Sequence, residues 1–161
     1  MNIFVLDSDI RKCVEYHADQ HVIKMTLEST QMLCTVCHKH GIDAPYKSTH
    51  ANHPCTVWAG ASLENWKWLR FLALSLNEEY KFRFCRRKDH RSAAIARELE
   101  EPPIKSIGLT AFAQAMPEKY RVPGNAVKAY RRFYIAEKAG FATWTKRPVP
   151  QWFSDGLRKK T

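Results

Sequence analysis

From Asp19 to His40 the chain runs without a glycine or proline and then meets Gly41. That pattern predicts one long helix ended by a left-handed cap. Val22, Met25, Leu33 and Val36 recur at helical spacing and make much of its buried side. A second helix is expected from about Val57 to Phe84, striped by Trp58, Leu63, Trp66, Leu69, Leu72, Ala73 and Leu76. Shorter helical patterns cover Asp9 to Tyr16, Ser92 to Leu99 and, capped by Asn125, the residues to about Lys138. Ile3 to Leu6 is an apolar run, either a strand or an extended segment threaded into the core. Ile42 to Pro54 reads as a loop. Ile104 to Pro123 reads as irregular, with one helical turn near Ala111 to Met116, and an irregular aromatic, basic tail closes the chain. No repeat or linker divides the 161 residues. The expectation is a mainly α, compact single domain over 1–161, with about four to five helices.

Placed on a helix, His17, His21, Lys24 and Glu28 fall at i, i+4, i+7 and i+11 and share one face. An amine beside a carboxylate is what an imine-forming lyase needs. The amine attacks a sugar carbon; the carboxylate moves protons and stabilises the cation that forms. His21 is then placed to orient the sugar or phosphate. The plain alternative is a solvated face with an i,i+4 Lys24–Glu28 pair. His17, His21, His50 and His53 also raise a second reading, a metal-dependent enzyme built on a histidine cluster. Against it, no carboxylate lies near His50 and His53 in their loop, and phosphate contact by His50 and Asn52 explains that loop as well.

Charge bears on the partner. The chain has 26 Lys and Arg against 16 Asp and Glu, a net charge of +10, which favours a polyanion. The stretch Cys85 to Arg91 holds Arg86, Arg87 and Lys88; Arg131 and Arg132 lie on the last helix. Trp144, Lys146, Arg147 and Trp152 interleave rings with cations, as strand-binding surfaces do. The competing reading of the tail is aromatic side chains packed back on the core. The five cysteines Cys13, Cys34, Cys37, Cys55 and Cys85 are an odd set, and no leader or apolar span is visible. The expectation is a reducing, intracellular setting, cytoplasmic and DNA-associated, with Cys34 and Cys37 as packing residues and no metal, cofactor or membrane partner.

Ala18-Asp19-Gln20-His21, with Glu28 seven residues beyond the histidine, resembles the first helix of the phage-type pyrimidine-dimer DNA glycosylases, the endonuclease V group with AP-lyase activity. Glu137-Lys138 followed by Thr143-Trp144-Thr145-Lys146 is similar to that family's aromatic, basic C-terminal segment. The resemblance implies an all-α monomer that kinks double-stranded DNA, flips a base and works without a cofactor. It makes Glu28 the catalytic carboxylate and His21 a sugar-phosphate contact, and sets His53 against a histidine of the family's second segment. It also implies an N-terminal α-amine as nucleophile, from Met1 or, after Met removal, Asn2. This chain departs from the family in having Asn2 after Met1, extra residues before the Asp-Gln-His motif, and Leu27 and Gln31 where arginines flank the glutamate. Lys24, one turn from Glu28, is the alternative nucleophile. The expected function is glycosylase and AP-lyase chemistry on damaged or modified pyrimidines in duplex DNA. His17, Gln20, His50, Asn52, His53 and the cations and tryptophans named above are the candidate DNA contacts. A DNA-binding protein without chemistry is the third reading.

Overall fold

Two long helices meet along their apolar faces, and the rest of the chain is arranged around that pair. The structure is a computed structural model and describes residues 1–159. Among these residues there are seven α-helices and no strand. They are α1 (Ile10–Tyr16), α2 (Asp19–Lys39), α3 (Pro54–Ala59), α4 (Leu63–Phe84), α5 (Arg91–Glu98), α6 (Ala126–Glu137) and α7 (Gln151–Arg158). The chain is mainly α, as its periodicity implies. No helix among the described residues is long and apolar enough to cross a membrane.

Local chemistry sets the ends. The Asp9 carboxylate caps α1 by accepting from Lys12 N–H, and Asn125 does the same for α6 through Lys128 N–H. Beyond α2, Gly41 takes φ +74°, which a glycine adopts without a Cβ clash. The expected helix from Val57 to Phe84 is two helices. Gly60 closes α3, the Ser62 hydroxyl accepts from Asn65 N–H to start α4, and Asn65 donates back to the Trp58 carbonyl at 2.7 Å. Between Ala111 and Met116 there is no helical turn. Gln114 instead bonds Val122 in both directions, and the turn forms as a 3₁₀ segment at Glu118–Tyr120. The tail, expected to be irregular, contains α7.

Ile3 to Leu6 is an extended segment, not a strand, and is almost fully buried. The Leu6 N–H reaches Cys13 Sγ, and Arg131 Nε donates to the Leu6 carbonyl at 2.8 Å. Phe4 sits at φ +38°, an unfavourable conformation for a bulky residue, costing about 1–2 kcal/mol. Its ring stacks on His21 with centroids 4.5 Å apart. This segment runs through the core and delivers Met1 and Asn2 to the side of α2. Cys34 and Cys37 are buried packing residues, and all five cysteines are free thiols.

Candidate active site

One turn of α2 sets Lys24 and Glu28 side by side, and the buried N-terminal segment brings Met1 and Asn2 to the same carboxylate. The Asn2 N–H donates to Glu28 Oε2 at 2.9 Å, and the amine at position 1 lies 3.7 Å from that oxygen. Lys24 Nζ lies 3.7 Å from the other oxygen, Oε1. The Glu28 side chain is 11% exposed and that of Met1 3%, whereas Lys24 is 65% exposed. A cavity of about 290 Å³ opens here, lined by Met1, Asn2, Phe4, His21, Lys24, Glu28, Phe133 and Lys138 among others. The Asn2 side chain secures its own end by donating to the Ala115 carbonyl at 2.8 Å.

His21 enters this cavity in a fixed chemical form. Burial pushes its pKa down to about 3, helped by the charges of His17, Lys138 and Lys24. It is therefore a neutral imidazole at physiological pH. Its Nδ1 lies 2.6 Å from the Tyr134 hydroxyl, and that hydroxyl oxygen already accepts from Ala18 N–H at 2.9 Å. The Tyr134 proton must go to Nδ1, since any other choice strands a buried O–H. That leaves the proton of His21 on Nε2, where it is a hydrogen-bond donor that does not change with pH near neutrality.

Lys138 was not among the site residues expected from sequence. It follows the last residue of α6, and its Nζ lies over the Phe133 ring at 4.9 Å and over the Phe4 ring at 5.9 Å. Its place beside Glu137 in the C-terminal motif was visible, but its approach to α2 depends on the path of the chain.

Other expected site residues fall elsewhere. His17 is not on the helix of His21. It caps α1 in extended conformation, is 0% exposed, and its Nδ1 meets the Cys13 carbonyl. The i,i+4 reading across His17 fails because the chain breaks between α1 and α2, and burial excludes His17 from direct contact with DNA in this fold. Burial also lowers its pKa to about 4. Asp19, the acid of the Asp-Gln-His motif, is a clamp. It accepts from Arg83, from the Thr143 hydroxyl, and from both the N–H and the hydroxyl of Thr145. Burial alone would raise its carboxyl, but these hydrogen bonds prevail and hold it low. Gln20 is exposed and donates to the Phe141 carbonyl.

His50 and Asn52 are exposed, with His50 Nδ1 2.7 Å from the Thr49 hydroxyl. His53 caps α3 by accepting from Cys55 N–H. Burial lowers its pKa, and it feels the amine at position 1. Among the described residues no three His, Cys, Asp or Glu side chains converge as metal ligands, so the four histidines do not form the cluster the metal reading needs. Arg86, Arg87 and Lys88 are exposed, and among the described residues none of their side chains pairs with a carboxylate. In the tail, the aromatic-packing alternative describes Trp144, which is buried and donates to the Tyr16 carbonyl. Trp152 is half-buried against Tyr16, Tyr134 and Phe153. Lys146 donates to the Phe82 carbonyl, and Arg147 is held by Glu79 and Glu15. Arg131 pairs with Asp7, while Arg132 is exposed.

An amine, a carboxylate and a neutral imidazole donor around one cavity can form an imine with a carbonyl carbon and move its protons. The chain matches no family model, no curated protein and no solved structure.

Proposed function

We propose that this protein is a DNA glycosylase and AP lyase acting on damaged or modified pyrimidines in duplex DNA, pyrimidine dimers included. One observation supports this reading above the rest: two amines, one at position 1 and one on Lys24, each lie 3.7 Å from an oxygen of the same Glu28 carboxylate. In the proposed reaction an unprotonated amine attacks C1′ of the sugar. With a base attached, the C1′–N bond breaks and the base leaves with one amine proton, and then the C1′–O4′ bond opens as O4′ takes the second; with an abasic aldehyde, water leaves. Either route gives an imine. Loss of a C2′ proton to a base, the role proposed for Glu28, then expels the 3′ phosphate by β-elimination. His21 Nε2–H is available to hold a sugar or phosphate oxygen, and Lys138 to offset phosphate charge. The amine at position 1 is the first candidate nucleophile, because burial of Ile3 to Leu6 holds it in place while Lys24 must give up side-chain freedom.

Borohydride trapping on duplex abasic DNA, followed by peptide mapping, tests this. The expected result is a covalent adduct on the first peptide. An adduct at Lys24 keeps the reaction and changes the nucleophile. Binding without an adduct supports the DNA-binding reading without chemistry, and neither binding nor adduct removes the nucleic-acid reading altogether.

A further inference from the structure

A groove with a cationic lining lies outside the cavity, between α6 and α7. It measures about 670 Å³ and is lined by four cations, Lys128, Arg131, Arg132 and Lys159, against one carboxylate, Asp155. On α6, Lys128, Arg131, Arg132 and Ile135 follow i, i+3, i+4, i+7 and share a face. Gly156 lets α7 come close enough to form the floor, since a Cβ there would lie 2.3 Å from Ile135 Cδ1. Among the described residues, only Arg131 of the four cations has a carboxylate partner, Asp7, and its guanidinium also covers the Trp152 ring at 5.2 Å. Lys128, Arg132 and Lys159 are exposed and form no ion pair among the described residues. Trp152 also lines the groove, with its indole N–H buried and without a hydrogen-bond partner among the described residues.

The groove continues. Arg132 and Ile135 also line a neighbouring cavity of about 400 Å³ with Lys119 and Tyr120. The Tyr120 ring contacts Phe133, centroids 5.5 Å apart, and Phe133 lines the cavity of Glu28. Between the candidate active site and the α6–α7 groove thus lie Tyr120 and Lys119, both bonded to Glu137, and then Arg132. Unpaired cations interleaved with rings suit a chain of phosphates with bases attached better than a single small anion.

We infer that the α6–α7 groove is a second binding site that takes the phosphodiester backbone of a nucleic-acid strand whose reacting unit sits beside Glu28. This rests on the reading of that cavity as a site for a polyanion and extends it to the flanking strand. The triple variant Lys128→Ala, Arg132→Ala, Lys159→Ala and the single variant Asp155→Asn test it in the full chain. Affinity for a fluorescent 12-nucleotide single strand is measured across salt, with inorganic pyrophosphate as competitor. Each lost contact flattens the slope of log K on log salt by about 0.7, so the triple variant should flatten it by about 2. Asp155→Asn should bind more tightly than the parent. An unchanged slope in the triple variant, with no gain in Asp155→Asn, overturns the proposal. So does a parent that binds no strand at low salt. If pyrophosphate displaces the strand completely and the parent shows no preference for longer strands, the groove takes small phosphates and the strand assignment is overturned. Trapping on an abasic dinucleotide, too short to reach the groove, separates the two readings. It should be equal in parent and triple variant; if the parent fails to trap, the reading of the Glu28 cavity falls while the salt slopes still decide the groove.

Discussion

The cations around the Glu28 cavity and those of the tail look alike in sequence and are used in opposite ways. Lys24 has one partner, Glu28, and Lys138 lies over two rings. Lys146 and Arg147 are consumed by the fold: one by a carbonyl at the end of α4, the other by Glu79 and Glu15. Behind Arg147 lies Arg83, fully buried, which donates to Glu79, to Asp19 and to the carbonyls of Glu15 and His17. Burial would raise the Glu79 carboxyl, but hydrogen bonds from Arg147 and Arg83 draw it below its usual range. A cation whose charge is matched inside the protein has little left for a ligand. Partner supply, rather than residue type, separates a fastening from a site.

The comparison can be broken first at Glu28. Glu28→Gln keeps shape and hydrogen-bonding reach and removes the charge. We expect trapping and strand cleavage to fall by about 10²–10⁴-fold with DNA affinity little changed. Parent-like cleavage would remove Glu28 from the chemistry. Next is Arg83→Met, which leaves Asp19 and Glu79 buried without their shared partner. Loss of one member of such a group costs about 3–5 kcal/mol, measurable by urea unfolding. A stability change below about 1 kcal/mol would mean the tail is not fastened in this way.

Acid comes third. The folded pKa of His17, about 4, and of His21, about 3, lie below their unfolded value of 6.5. Below pH 6.5 the unfolded chain takes up protons that the folded chain refuses, so stability falls as pH falls. For His17 the fall extends to about pH 4, at about 1.4 kcal/mol per pH unit where the unfolded imidazole is charged. The Asp19 and Glu79 contributions are present above their unfolded values and are lost only at lower pH. Unfolding midpoints at pH 7 and pH 5 should therefore differ in the parent and differ less in His17→Gln. Equal shifts would place His17 outside the core in solution. The smallest effect belongs to the exposed cluster. Arg86→Ala with Arg87→Ala should flatten the duplex salt slope by about 2, whereas Arg147→Ala should leave it unchanged because its charge is already spent. Equal slopes for these two variants would erase the distinction.

The long helix from Asp19 was legible because its periodicity and the stop at Gly41 are local properties. The same logic gave Lys24 and Glu28 one face, and the expected pair is present. It failed at His17, which was put on one face with His21 although the helical patterns already ended at Tyr16 and restarted at Asp19. It failed at Gly60–Ser62, where one apolar stripe passes through two helices. The tail was expected to be irregular, and the helix it contains starts directly after Pro150, which serves as the N-cap of α7.

What the sequence determined by itself is a mainly α chain, rich in unmatched positive charge, with an amine and a carboxylate one helical turn apart. These follow from spacing along one element, which covalent geometry fixes. Tertiary structure decided that Met1 and Asn2 meet Glu28, that Tyr134 sets the proton of His21, that Lys138 joins the cavity, and which cations remain unpaired. Each of these contacts joins residues far apart in the chain, and burial of Ile3 to Leu6 and the packing of α6 on that segment bring them together.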